Sequence, residues 1–151
     1  MNIERYIDLP DELNEKVDKL TDEAFELFNE KRYAESFQLF EKCLSFFPEP
    51  KGDYGDYSFI IECMIGKYLE IKDYPNAKKW VEELGLVFKN QHILGDWAFL
   101  RGEVYFHSGD FETAWESFNK AYQTSKLDSF REEDPQYLDF LRNPKKYMKN
   151  E

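Results

Sequence analysis

This chain of 151 residues is poor in the groups from which most reactive sites are built. It carries only two cysteines and two histidines. Cys43 and Cys63 belong to no CxxC and to no Cys/His cluster, so the ligands of a zinc site are missing. Each lies in an apolar stretch of helical spacing, where a reduced thiol serves as a small hydrophobe. A disulfide between them has no positive support. His92 and His107 fall in different elements, and neither has a second His or Cys at metal-ligand spacing. There is no glycine-rich phosphate loop, no GxSxG, no HExxH and no EF-hand pattern. His107, with Glu103 and Asp110 near it, could be read as an acid/base group. A histidine at a helix end, favoured by the C-terminal dipole, is the simpler account. No catalytic pair stands out among 31 Asp and Glu. The expectation is a protein that is not an enzyme, with no catalytic residue, cofactor or metal site.

Long apolar runs are also missing. No stretch approaches the ~18 apolar residues of a membrane span. Met1-Asn2-Ile3-Glu4-Arg5 leads into no apolar segment of a signal peptide, so a cytoplasmic location is expected. Positive charge is scarce as well. With 20 Lys and Arg against 31 Asp and Glu, the formal net charge is −11. Nucleic acid and anionic membranes are disfavoured partners, because no dense basic patch is available to displace their counterions. An acidic surface instead favours basic partners through faster encounter, or simply keeps the protein soluble. The one basic cluster is the tail, Lys145-Lys146-Tyr147-Met148-Lys149. It is expected to fray after Pro144, or to complement the C-terminal end of the helix before it.

What the chain has in abundance is aromatic carbon: 14 Phe, 10 Tyr and 3 Trp, within a hydrophobic share of 42%. That is enough to fill the core of one domain over residues 1–151, and stacked helices bury such rings efficiently.

A single phrase recurs three times. It reads Lys31-Arg32-Tyr33-Ala34-Glu35-Ser36, then Lys72-Asp73-Tyr74-Pro75-Asn76-Ala77, then Gly109-Asp110-Phe111-Glu112-Thr113-Ala114. In each, an aromatic is followed three residues later by a small residue. Four positions beyond that stands a large one: Phe40, Val81 or Phe118. The turn ends one helix and the aromatic packs back on the hairpin. The small residue lets the second helix approach the first, and the large one fills the space beyond.

These residues resemble the tetratricopeptide repeat family. The third copy carries Gly102, Tyr105, Gly109-Asp110-Phe111, Ala114, Phe118 and Ala121 at the family's spacing. It departs with Ala98 in place of Trp, Arg101 in place of Leu and Lys126 in place of the closing Pro. The first copy matches through Leu20, Ala24, Leu27, Tyr33, Ser36, Phe40 and Pro48. The second matches through Tyr68, Tyr74, Ala77 and Val81, with Gly66 one place off the glycine position. The copies are longer than the ~34 residues of the family, and the excess falls at Pro48–Gly55 and around Lys89-Asn90-Gln91-His92. The resemblance covers about residues 17–126, as repeats of about 17–48, 58–89 and 95–126.

The expected fold is therefore all-α: a right-handed superhelical stack of about three helical hairpins with a C-terminal capping helix at about 134–142. Helices are expected over about Pro10–Lys31, Tyr33–Phe46, Tyr57–Lys72, Pro75–Lys89, Leu94–Ser108 and Phe111–Ser125. In the cap, Tyr137, Leu138 and Leu141 would cover the end of the stack.

In the family, the first helix of each hairpin lines a concave groove. Carried over, those positions are Asp18, Phe25 and Phe28, then Phe59, Glu62 and Leu69 or Glu70, then Asp96, Phe99, Glu103 and Phe106. Carboxylates alternate with aromatics, which suits Lys and Arg side chains through charge pairing and cation–π contact. The Lys and Asn that grip chaperone C-termini in other members are missing, so that role is disfavoured. The competing account is that some of these aromatics, Phe25 and Phe59 among them, are core. The expected function is a protein-binding module for a basic partner, working as a monomer or weak dimer. Small acidic proteins with a closing helix of this kind are similar to bacterial immunity proteins, which implies neutralisation of a cationic toxin. The alternative is an adaptor or secretion chaperone that takes an amphipathic helix of its client.

Overall fold

The structure is a computed structural model, and it describes residues 6–87 and 94–148. Expectations placed on Lys89, on the break around Lys89–His92 and on Lys149 lie outside the described residues. Among those described, the fold is all-α, with seven helices and a single isolated bridge between Ile7 and Tyr54. The helices are α1 (Asp11–Asn29), α2 (Tyr33–Ser45), α3 (Gly55–Glu70), α4 (Tyr74–Val87), α5 (Leu94–His107), α6 (Phe111–Ser125) and α7 (Pro135–Arg142). The chain divides within α3 into two compact units, residues up to Met64 with Val87 in the first and from Ile65 onwards in the second.

The first unit is built on the α1/α2 hairpin. Ala24 and Ser36 are both fully buried, and the Ser36 hydroxyl donates to the Ala24 carbonyl at 2.6 Å. A larger residue at either position would hold the helices apart. Tyr33 packs back on Phe28 at 4.9 Å between ring centroids, and Phe40 receives Phe25 edge-on at 5.2 Å. Cys43 is a buried thiol beside Thr21, and it and Cys63 are not joined in a disulfide. After α2, Phe47 is clasped by Tyr54 and Tyr57. The N-terminal segment joins the same unit through the Ile7 amide, which donates to the Asp53 carbonyl at 2.7 Å.

The second unit repeats the seat with different residues. Phe118 is fully buried against Phe99, centroids 5.2 Å apart, and its ring lies over Gly102. A Cβ on Gly102 would come within 2.6 Å of that ring. The departures at 98 and 101 find their own places. Ala98 is buried. Arg101 is half-buried, donating to Glu82 at 2.5 Å and to the Ser117 hydroxyl at 3.0 Å. Gly66, off register in the sequence, has open space where a Cβ would stand. It is not a packing glycine.

α7 closes this unit. Asp134 caps it by accepting from the Gln136 amide, and Pro135 occupies its first turn, where a missing amide costs nothing. Phe140 is fully buried and Tyr137 nearly so, while Leu138 and Leu141 are half-buried. The covering face is thus centred on Tyr137 and Phe140, spaced three apart, with the expected Leu138 and Leu141 packed against the same core at its margin. Each such ring contributes about 2–3 kcal/mol on burial. The tail, expected to fray, is docked through Met148. Tyr147 packs on Phe106 and Phe140, and its hydroxyl donates to Asp139 at 2.6 Å. Lys146 reaches the same carboxylate at 2.9 Å.

The three hairpin turns share one geometry. Lys31, Lys72 and Gly109 all take positive φ, at 63°, 59° and 85°. In each turn the next residue's amide bonds back five residues, Arg32 to Leu27, Asp73 to Tyr68 and Asp110 to Tyr105, at 2.8–2.9 Å. The positive-φ residue itself bonds back three. This is the paired C-terminal cap that glycine best supports, and two of the three positions hold lysine. Lys31→Gly and Lys72→Gly should each stabilise the protein by about 0.5–1 kcal/mol, and Gly109→Ala should cost about 1 kcal/mol, read from urea midpoints at unchanged slope. A loss of stability in either lysine variant would show that the side chain contributes more than the turn. Gly102→Ala should cost about 2–3 kcal/mol through overpacking against Phe118, and a neutral result would mean that the ring has room to move.

Candidate interaction surface

The ten expected groove residues separate into three environments. Asp18, Phe59, Glu62, Glu70 and Asp96 are exposed. Phe25, Glu103 and Phe106 are half-buried. Phe28 and Phe99 are core, at 7% and 4% exposure, and offer no surface to a partner. For Phe28 the cover is Tyr33 and Phe37. For Phe99 it is Phe118, Phe130 and Tyr137. α7 also covers Phe106, whose ring meets Tyr137, Phe140 and Tyr147. The cap thus occupies much of the third hairpin's expected binding face.

In the first unit the structure leaves a coherent strip. Asp56, Phe59 and Glu62 follow one another at spacing three along α3, so they share one side of it, and all are exposed. Phe59 keeps 57% of its surface, which leaves an aromatic face open beside the two carboxylates. Asp56 was not expected here. Partial burial holds its carboxyl above the ordinary value, and the charges of Asp18 and Asp8 push it further the same way. Three carboxylates therefore converge within electrostatic reach from the N-terminal segment, α1 and α3. The signal available in the sequence was the three-residue spacing from Phe59 back to Asp56. The approach of Asp18 depends on tertiary packing.

In the second unit a different group of titratable residues meets at the edge of the cap, with Tyr137 buried, Glu103 half-buried and His107 and Glu133 exposed. Glu103 and His107 stand one turn apart on α5, and Tyr137 and Glu133 approach from α7 and the turn before it. The His107 Nε2 and the Tyr137 hydroxyl are 2.7 Å apart. Burial raises the Glu103 carboxyl to about 7, with the Glu133 charge adding to the shift. Burial lowers the His107 imidazole, partly offset by Asp134, and it pushes the Tyr137 phenol strongly up. Each group is thus held toward its uncharged form. A neutral imidazole accepting from the phenol O–H fits that balance. The bonded partner of His107 is Tyr137, while Asp110 stands at the start of α6, where its backbone carbonyl accepts from the Ala114 amide.

Other charges are spent within the fold. Glu70 pairs with Lys67 at 3.3 Å. Tyr105 carries both Lys78 and Arg101 against its ring, at 5.0 and 4.9 Å. Among the described residues no group of three or more His, Cys, Asp and Glu is arranged to hold a metal ion, and no helix is long and apolar enough to cross a membrane. Comparison with known protein families, curated proteins and solved structures gives no match to this chain.

The half-buried carboxylate of Glu103 sets a pH dependence. Because Glu103 titrates near 7 in the fold against 4.5 ordinarily, the folded state holds the extra proton between those values. Stability is therefore lost as pH rises through that window, and the cost is complete above it. Glu103→Gln should be nearly neutral at pH 4.5 and stabilise by about 2 kcal/mol at pH 8, allowing for residual solvation. Equal melting shifts at both pH values would mean the carboxylate is solvated in the native state.

Proposed function

We propose that this chain is a non-catalytic protein-binding module whose partner is basic. The observation that carries the reading is the exposed strip of the first unit, where Phe59 stands between Asp56 and Glu62 with Asp18 close by. Converging carboxylates repel one another, and an incoming Lys or Arg relieves that repulsion. A ring beside them adds apolar and cation–π contact to the same side chain. The net charge of −11 extends the attraction beyond contact and speeds encounter. The reading centres on this strip within the ten-residue groove, because Phe28 and Phe99 are buried and Glu103 and Phe106 are half-buried.

The sharper form of the proposal is an immunity protein that neutralises a cationic toxin. An acidic surface competes for the side chains such a toxin directs at phosphate, and it does so at electrostatically assisted rates. The three-hairpin tetratricopeptide-like organisation belongs to the same proposal. It is supported by the common hydrogen-bond register of the turns at Lys31, Lys72 and Gly109. The cytoplasm as its site of action is part of the reading.

The double reversal Asp18→Lys with Glu62→Lys should leave circular dichroism and melting nearly unchanged, since both side chains are exposed. In affinity capture from host lysate, the intact protein should retain one basic protein at low salt and much less at about 1 M, where screening acts within ~3 Å. The double variant and Phe59→Ser should each lose it. Retention of the same partner by both variants would place the interaction on another surface.

A further inference from the structure

The far side of α7 carries a surface of the opposite character. Two adjoining clefts, each of 570 Å³, share Asp139, Arg142 and Asn143. Their apolar lining is Leu127, Phe130, Pro135 and Leu138. Leu127 is 44% exposed, so this lining is open to solvent. Arg131, Arg142, Lys145 and Lys146 stand around it, against two carboxylates, Glu133 and Asp139.

Two of those cations are already engaged: Arg131 pairs with Asp128 and Lys146 with Asp139, both at 2.9 Å. Asp139 is further used by Tyr147 and by Asn143. Arg142 and Lys145 have no carboxylate partner among the described residues, and both are exposed. In a chain of net charge −11, this is a locally cationic groove with a greasy floor. Its charge lies at the C-terminal end of α7, while Glu133 marks the other end. A ligand that fits must be apolar on one side and anionic toward Arg142 and Lys145.

We propose that this groove docks an acidic amphipathic segment of a partner protein, seating apolar side chains on Leu127, Pro135 and Leu138 and carboxylates on Arg142 and Lys145. α7, at eight residues, spans about 12 Å, which sets the contact at two to three turns of a helical segment. The charge complementarity excludes the basic partner of the α3 strip from this surface. A protein carrying both surfaces would bridge a basic and an acidic protein.

The probe is a synthetic peptide about three helical turns long, with Leu at i, i+3, i+4 and i+7 and Glu elsewhere. Its counterpart carries Lys in place of Glu. Both are titrated into the isotopically labelled full chain and followed by amide shifts. The Glu peptide should give saturable shifts confined to residues 127–146. Arg142→Glu with Lys145→Glu, or Leu127→Ser alone, should weaken it by about tenfold or more with the melting temperature held. The Lys peptide should leave those amides unmoved, whether or not it shifts the α3 strip. Shifts spread elsewhere, no saturation, or equal affinity in the charge-reversed variant would overturn the proposal. So would concentration-dependent self-association abolished by the same reversal, which would give the groove to a second copy of this chain.

Discussion

The distance between paired helices in this chain is set by what stands at their crossing. Where Ala24 meets Ser36, and where Gly102 lies under the Phe118 ring, no side chain large enough to separate the backbones is present. Close approach then gives the aromatic residues one turn away a fixed wall to pack on. Phe40 closes on Phe25 in the first unit and Phe118 on Phe99 in the second. Dispersion is short-ranged, so a shift of half an ångström at the crossing would forfeit much of the contact energy. The turns bring the helices to that crossing in a fixed register. They do so even where lysine must accept a backbone conformation that suits glycine.

Aromatic density explains the cap as well. α5 and α6 alone leave Phe99, Phe106 and Phe118 with open faces. Tyr137 and Phe140 of α7 and Tyr147 of the tail meet Phe99 and Phe106 edge-on, the arrangement the ring quadrupole favours. Covering them also draws Glu103 out of water beside Glu133. The end of the second unit is therefore stabilised by its rings and opposed by its carboxylates. The balance between the two depends on pH.

Local chemistry was legible and long-range cover was not. The start and end of α6, Phe111 and Ser125, follow directly from the turn phrase before it and the loss of apolar spacing after it. The helical character of every segment was visible in the same way, and the helix ends moved by only one or two residues because caps fray. The groove was misjudged where exposure depends on an element arriving from elsewhere. Phe99 has the spacing of a surface residue on α5 and becomes core because α7 lands on it. Phe140, the anchor of that landing, was overlooked in favour of Leu138 and Leu141, since a short helix admits more than one apolar face. Asp56 joins Asp18 across 38 positions of sequence, and no local pattern encodes that meeting. Gly66 and Gly102 look alike in a list of glycines, yet only the second has a ring above it.

The indole groups divide the molecule in a way that matters to anyone following it by light. Trp80, Trp97 and Trp115 all belong to the second unit. Trp97 and Trp115 are pinned there, their ring N–H groups donating to the Val81 and Leu141 carbonyls at 2.8 and 3.0 Å. The first unit contains no tryptophan. An emission spectrum is therefore nearly blind to the α1/α2 hairpin, where the useful reporter is the buried sulfur of Cys43. Emission and thiol accessibility, recorded together, would time the opening of the two halves separately.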